Sequence, residues 1–333
     1  MGIQGKALKL ITTFLTGRKQ YVQINETRSS YKKTKAGVPQ GTVLGPLLYL
    51  MYVESISKLN LTGMYWMFAD DTVLVYSAKD ESSIQKNINK DMEKFLNWLS
   101  SNKLIINEEK TVYMAFTNKR KNLKPLKIII NNKKITQVNS YTYLGLKIND
   151  ELNWNDHVNF IIKKISGLIG ALRRASTYMT SPCKKSIYSS QILSIITYLM
   201  PVWSNTSNIN LNRLQNKALK SIYNLPYDTR TSDLYKMLPY ADIRLLKQVE
   251  QCKLVFKIKN NTLKTKVSLN TKYNIHGRNL RYANTFVKNR VKTEKAKRAP
   301  VYASITEYNR LPQDIIAEYK YPKFIRQLKK FLF

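Results

Sequence analysis

The stretch Trp66-Met67-Phe68-Ala69-Asp70-Asp71-Thr72-Val73-Leu74-Val75-Tyr76 sets two adjacent carboxylates between two short apolar runs. Each run has the length of a buried strand, which predicts an antiparallel hairpin with Asp70 and Asp71 at or beside its tip. Neighbouring side chains on a straight strand point to opposite faces, so both acids reach one site only where a turn relaxes that alternation. Two acids held together repel each other unless a cation compensates. Mg²⁺ suits such a pair, because this hard ion binds one or two carboxylates plus substrate phosphates. Taken alone, an Asp-Asp pair is more often a solvated turn, so its neighbours decide the reading.

Upstream, Tyr21 to Ile24 alternates like a strand, and Gly37-Val38-Pro39-Gln40-Gly41 leads into Thr42-Val43-Leu44-Gly45-Pro46. Pro39 fixes one backbone angle, and the glycines allow a tight turn or a close approach to a ligand. Leu47, Leu48, Met51, Tyr52, Ile56 and Leu59 then recur at helical spacing. Downstream of the acids, Ile84, Ile88, Met92, Phe95 and Leu99 form the apolar stripe of a second helix. Asn107-Glu108-Glu109-Lys110-Thr111 precedes a strand-like Val112 to Phe116, and Lys127 to Ile135 reads as a hairpin turning at Asn131-Asn132. Tyr141-Thr142-Tyr143-Leu144-Gly145-Leu146 is a further strand-like piece, so the front of the chain reads as α+β.

Composition shifts near Asn149. Val158, Ile161, Ile165, Leu168 and Leu172 form one helical stripe, followed by helices over Pro182 to Leu199, Leu211 to Tyr223 and Ile243 to Ile258, with a polar loop from Asn205 to Asn210. Lys163, Lys164, Arg173, Arg174, Lys184, Lys185, Lys217 and Lys220 decorate these helices with few alternating acids, which favours phosphate contact over a merely solvated face. Arg278 to Arg298 holds eight basic residues and one Glu, with Tyr282 and Phe286 interleaved, a mixture that suits single-stranded or backbone-tracking contact and a solvated surface about equally.

The 333 residues carry 56 Lys and Arg against 21 Asp and Glu, a net charge of +35. Self-repulsion on that scale points to a polyanionic partner held by salt-sensitive phosphate contacts. Residues 151–333 contribute 33 basic and 10 acidic side chains, a net +23, so the back half supplies most of the grip. An apolar content of 43% argues against wholesale disorder. Ile187 to Trp203 is too short and too interrupted to span a bilayer, and the lysines after Met1-Gly2-Ile3 break any secretory leader. The expectation is therefore a non-secreted, intracellular protein, nuclear or cytoplasmic, without membrane contact. Two cysteines and two histidines (Cys183, Cys252, His157, His276) fit neither a disulfide framework nor a recognised zinc spacing. If the chain does chemistry, it is carboxylate-metal chemistry.

In their order along the chain these pieces resemble the reverse transcriptase of non-LTR retrotransposons, the jockey-like and related elements. Gly37-Val38-Pro39-Gln40-Gly41 with Leu44-Gly45-Pro46 resembles the template- and nucleotide-positioning segment. Phe68-Ala69-Asp70-Asp71 resembles the catalytic box, Asn107 with Lys110-Thr111 the lysine-bearing segment, and Tyr143-Leu144-Gly145 the primer-gripping hairpin. The resemblance continues through Trp154-Asn155-Asp156-His157, Pro201-Val202-Trp203 and Asn309-Arg310-Leu311-Pro312.

The resemblance implies a partial palm over 1–148 (an antiparallel sheet with flanking helices), a helical thumb over 149–226 and a helical, basic C-terminal segment over 227–333. It implies RNA-directed DNA polymerisation from an RNA template, a DNA primer and deoxynucleoside triphosphates, with two Mg²⁺ ions about 3.5–4 Å apart. Asp70 and Asp71 would be the metal ligands. Gln40 would help position the template base, Phe68 and Ala69 would lie near the primer end, and Lys110 would sit near the nucleotide phosphates. The family's cage also uses an aspartate upstream of Gly37, whereas residues 1–69 hold no Asp and, as acids, only Glu26 and Glu54. Glu26 falls where a turn is expected. The expectation is thus an N-terminally truncated polymerase, weak or inactive as this chain alone, with a non-enzymatic nucleic-acid-binding remnant as the alternative. A two-metal nuclease leaves Gly37–Gly41 and Lys110 unexplained.

Overall fold

The computed structural model describes residues 2–117, 125–205, 209–265, 267–272, 274 and 285–333. The chain divides into two compact units, one over Met1–Tyr113 with Lys121–Gln137, the other over Met114–Arg120 with Val138–Phe333. Helices and short two-stranded ladders make up both, an α+β mixture.

In the first unit, α1 (Gly5–Leu15) is followed by two exposed ladders. β1 (Lys19–Gln20) pairs with β4 (Lys32–Lys33), and β2 (Gln23–Ile24) with β3 (Thr27–Arg28). The strand expected over Tyr21 to Ile24 is therefore a two-residue rung flanking a turn. α2 (Leu44–Val53) begins with Pro46 in its first turn, where the missing N–H costs nothing. A 3₁₀ turn over Glu54–Leu59 continues it. The buried residues of this stretch are Gly45, Val53 and Ile56, and the expected stripe members Leu47 and Tyr52 are exposed.

β5 (Met64–Phe68) and β6 (Asp71–Val75) form the antiparallel hairpin, with Phe68 opposite Asp71. Its inner face, Tyr65, Met67 and Leu74, packs on a core built around Met92, Phe95 and Trp98 of α3 (Glu81–Ser101). Its outer face, Met64, Trp66, Phe68 and Val75, is exposed. The two apolar runs are thus half-buried strands rather than fully buried ones. α3 starts where Asp80, in extended conformation, accepts the Ser83 N–H at 2.8 Å, a side-chain N-cap.

β7 (Val112–Tyr113) is shorter than the expected strand and pairs in parallel with β10 (Thr136–Gln137). Between them, β8 (Ile129–Ile130) and β9 (Lys133–Lys134) turn at Asn131 and Asn132, both with positive φ, as that pair of residues favours. The expected palm sheet is accordingly represented, among the described residues, by separate two-stranded pairs, one of them parallel.

The second unit opens with β11 (Ser140–Tyr143) and β12 (Leu146–Asn149), an antiparallel hairpin where sequence alternation suggested one strand. The reversal lies at Leu144 and Gly145, with φ of 47° and 78°. α4 (Asn155–Ala175) buries Val158, Ile161, Ile165 and Ile169, while Leu168 and Leu172 sit at the edge of that face. The helix expected over Pro182 to Leu199 is broken into α5 (Ser181–Ile187), a π-helical turn over Tyr188–Leu193, α6 (Ser194–Thr197) and α7 (Met200–Trp203). Tyr188, Ile192, Ile196 and Met200 recur at strict four-residue steps, and all four are fully buried. An α-helix of 3.6 residues per turn would rotate that row off the core, and the wider π turn absorbs part of the drift.

α8 (Ile209–Tyr223) packs along α4, and α9 (Thr231–Met237) follows it. α10 (Ile243–Lys259), capped by Asp242, links this core to a second one made with the helices at Pro300–Tyr308, Gln313–Ala317 and Tyr321–Leu332. The expected nucleic-acid contact over Arg278 to Arg298 falls partly on residues 278–284, which lie outside the described residues, as does 206–208 of the polar loop. Within its described part, Phe286 is core rather than a stacking aromatic. It is buried against Tyr308, and Asn309 hydrogen-bonds both its N–H (3.0 Å) and its carbonyl (2.8 Å). Asn309 of the Asn-Arg-Leu-Pro motif therefore has a structural task.

Candidate active site

Ala69 adopts the left-handed conformation (φ 51°) between Phe68 and Asp71, and this turn puts Asp70 at the very end of the hairpin with Asp71 beside it. Both carboxylates are exposed. Tyr49 of α2 donates its hydroxyl to the Ala69 carbonyl at 3.0 Å, tying the turn to the helix into which the Gly37–Pro46 loop runs. Burial raises the Tyr49 pKa, and the charge of Asp70 raises it further. Tyr49 therefore stays protonated and keeps donating.

The Gly37–Gly41 loop is shaped from within. Gly37 and Gly41 have φ of 80° and 75°, a conformation that side-chain-bearing residues strain to adopt. Arg18 donates to the carbonyl of Gly37, and Thr42 Oγ1 to that of Pro39 at 2.8 Å. Pro39 is half-buried while Gln40 is exposed, so the loop presents Gln40 outward. Lys110 is exposed at the end of a turn in which its N–H donates to Asn107 Oδ1 at 3.1 Å. Neighbouring Glu108 is committed elsewhere, to Lys133 at 3.0 Å and Asn131 at 2.8 Å, and these two partners hold its carboxyl below the usual range. Tyr143, Leu144 and Gly145 stand in the second unit at the β11–β12 turn, where Tyr198 donates to the Leu144 carbonyl at 2.7 Å.

The base of the acid hairpin carries a buried carboxylate that sequence reasoning missed. Asp91 of α3 is fully buried, and its Oδ2 accepts from Thr62 Oγ1 (2.8 Å) and from the Gly63 N–H (2.9 Å), the residues that lead into β5. The Tyr76 hydroxyl, just past β6, lies against the same carboxylate, and its pKa is pushed far up by burial first and by Asp91 second. A Cβ on Gly63 would sit 2.5 Å from the Tyr76 ring, so only glycine leaves room for that arrangement. One side chain thus holds both ends of the hairpin. Asp91→Ala removes the acceptor for two donors, Thr62 Oγ1 and the Gly63 N–H, and a loss of about 3 kcal/mol follows. Urea denaturation checks this; a midpoint unchanged from the wild type would show that the carboxylate does not hold the hairpin.

Asp91 does not join the acid pair at the turn. It contacts the open end of the hairpin, some ~16 Å along β5 from the acid turn at about 3.3 Å per residue. Glu26 sits exposed in the β2–β3 turn, as expected, and Glu54 is exposed at the 3₁₀ turn. Among the described residues no cluster of three or more Asp, Glu, His or Cys side chains could hold a metal. The donor set at the tip is nonetheless hard carboxylate oxygen, which fits a magnesium ion completing its shell with water and substrate phosphates.

The site is thus a hairpin that presents adjacent aspartates at its turn, packed on a helix and preceded by a glycine-bounded loop. Residues 3–148 match the family described as reverse transcriptase (RNA-dependent DNA polymerase). The chain's relatives come from non-LTR retrotransposons. It is 27% identical to a probable RNA-directed DNA polymerase from transposon BS of Drosophila melanogaster, over 69% of this chain and 27% of the relative. It is 26% identical to the RNA-directed DNA polymerase from mobile element jockey of the same species, over 69% of this chain and 26% of the relative. A retrovirus-related Pol polyprotein from type-1 retrotransposable element R1 of Bradysia coprophila is 24% identical over 67% of this chain and 23% of the relative. The chain thus spans about a quarter of the length of these relatives. No solved structure matches it. Among the described residues, no helix is long and apolar enough to cross a membrane.

Proposed function

We propose that this chain carries the polymerising site of a retroelement reverse transcriptase, with Asp70 and Asp71 as metal-holding acids at the hairpin tip. The observation that carries the proposal is the left-handed turn at Ala69, which places two exposed carboxylates together and is fixed from behind by Tyr49. Magnesium bound there would lower the pKa of the primer hydroxyl and neutralise the departing phosphates. In the reaction, the primer 3′-oxygen forms a bond to the α-phosphorus of a deoxynucleoside triphosphate, and the bond to pyrophosphate breaks. Gln40, presented outward by the loop, positions the template base. Phe68 and Ala69 border the primer end. Lys110, exposed and unclaimed by Glu108, meets the triphosphate. Tyr143, Leu144 and Gly145 support the primer strand, and the basic helices of the second unit hold the RNA–DNA duplex backbone.

The palm, thumb and C-terminal assignments over 1–148, 149–226 and 227–333 belong to the same proposal. So does low activity in the isolated chain, since two exposed carboxylates make a sparse cage. Single-nucleotide incorporation at a recessed DNA primer on an RNA template, with Mg²⁺, tests it. Slow incorporation directed by the template base is expected. Fast extension would show that two acids suffice, and incorporation indifferent to the template would refute the polymerase reading.

The net +23 carried by residues 151–333 also favours a second reading, a non-enzymatic nucleic-acid-binding remnant. It shares the binding but lacks any incorporation that depends on Asp70.

A further inference from the structure

Two tyrosines in the second unit are almost entirely exposed, Tyr178 at 91% and Tyr227 at 88%. They are brought to the same end of the α4–α8 pair. Tyr178 closes a single 3₁₀ turn that follows α4, and Tyr227 follows α8 by four residues. Buried Ser176 donates to Asn224 Oδ1 at 2.7 Å, a bond across 48 residues that joins the two helix ends. Asn224, with φ 55°, ends α8, and the Leu225 N–H bonds back to the Lys220 carbonyl, a helix stop of the Schellman type. Lys220 then donates to the Tyr227 carbonyl at 2.7 Å and lies 5.6 Å from the centre of its ring. A cation thereby lies over the Tyr227 ring while the residue stays almost wholly exposed. Arg173, Arg174 and Arg230 are exposed in the same segments, against one acid, Asp228.

We infer that this end of the helical pair is a base-stacking site for single-stranded nucleic acid, separate from the catalytic acids. Exposed aromatic rings on a rigid frame accept unpaired bases, while the surrounding cations meet the phosphates between them. Bases inside a duplex are already stacked and offer no free face, so the occupant is a single-stranded stretch. The net charge of +35 supplies the attraction to a polyanion but cannot by itself favour bases over phosphates; the two rings can. The inference extends the polymerase reading by naming a second place where template or primer is held. It does not need Asp70 to be catalytic.

The test is binding of the full chain to a labelled single-stranded oligouridylate of about twelve nucleotides, within the range of single-strand binding sites. An abasic sugar-phosphate strand of equal length is run beside it. The Tyr178→Ala, Tyr227→Ala double variant is expected to lose at least about tenfold in affinity for the oligouridylate, since each stacked base contributes on the order of a tenfold factor. The Tyr178→Phe, Tyr227→Phe variant keeps wild-type affinity, because the ring rather than the hydroxyl does the binding. Abasic strand binds wild type and both variants alike, and the slope of log affinity against log salt does not change, since no charge is removed. Equal oligouridylate binding by the alanine variant and the wild type would overturn the inference, as would equal losses in the phenylalanine and alanine variants. Asp70→Ala, measured alongside, retains binding. Absence of template-directed incorporation together with weakened binding by the alanine variant would remove the polymerase reading and leave this one standing.

Discussion

Asp70→Ala is expected to cut RNA-templated nucleotide incorporation by about a thousandfold while leaving primer–template affinity unchanged. The magnitude follows from what a metal-holding acid supplies. Stabilising developing charge on the attacking and leaving oxygens lowers the barrier by several kcal/mol, and each ~1.4 kcal/mol is tenfold in rate. The selectivity follows from the structure. Asp70 is exposed at a turn whose backbone is fixed by Tyr49 from α2, so its side chain can be removed without disturbing the hairpin. The excess basic charge is concentrated elsewhere, in residues 151–333. Incorporation and equilibrium binding measured on the same preparations check both halves. A parallel fall in binding and incorporation would mean that the hairpin tip is a docking surface rather than a reaction centre.

Trp203→Ala is expected to cost about 3–5 kcal/mol, enough to bring a domain of ordinary stability close to unfolding. Trp203 is fully buried in the core of the second unit, its indole N–H donates to the Tyr198 carbonyl at 2.8 Å, and its ring meets the edge of His157 at 5.6 Å. Deleting it opens a large cavity and strands a carbonyl at the break between α6 and α7. His157 is itself part of this packing. Its Nδ1 accepts the Lys147 N–H at 3.2 Å, and burial depresses its pKa to about 4, so it stays neutral at physiological pH. Denaturant unfolding followed by circular dichroism reads the loss. Trp203→Phe keeps most of the volume and is expected to lose far less. Similar midpoints for Trp203→Ala and the wild type would show that this core is not what holds the second unit.

The acid hairpin was legible because its cues are local. Two charged residues between apolar runs cannot continue a half-buried strand, so the chain must turn there. Asn131-Asn132 was legible for the same reason, since both residues tolerate positive φ. Longer-range features were not. Asp91 sits in a helix between Lys90 and Met92, with Glu93 next, where an acid reads as solvated; its partners Thr62 and Gly63 lie 28 or more residues away. Alternation alone hid the β11–β12 reversal behind Leu144, an apolar residue in a left-handed turn, and the hairpin there was expected only from the resemblance of Tyr143-Leu144-Gly145. The Pro182 to Leu199 segment kept a helical pattern of apolar residues, so neither the π turn nor the break at Leu199 could be read from spacing. Phe286 showed the opposite error. Its basic neighbours suggested a surface, whereas Asn309 fixes its backbone and Tyr308 covers its ring. The site residues themselves sit on short turns; the acid turn and the β11–β12 turn are fixed by side chains distant in sequence, Tyr49 and Tyr198, whereas Thr42 and Asn107 act locally.

The acid pair as a metal-holding centre is tested most directly with Mn²⁺ as a spectroscopic substitute for Mg²⁺. Electron paramagnetic resonance can count the ions bound to the chain in the presence of primer–template and a complementary deoxynucleoside triphosphate. The expected result is bound Mn²⁺ in the wild type that is largely lost in the Asp70→Ala, Asp71→Ala double variant, with nucleic-acid binding intact. The same number of ions held with the same affinity by wild type and double variant would contradict the assignment.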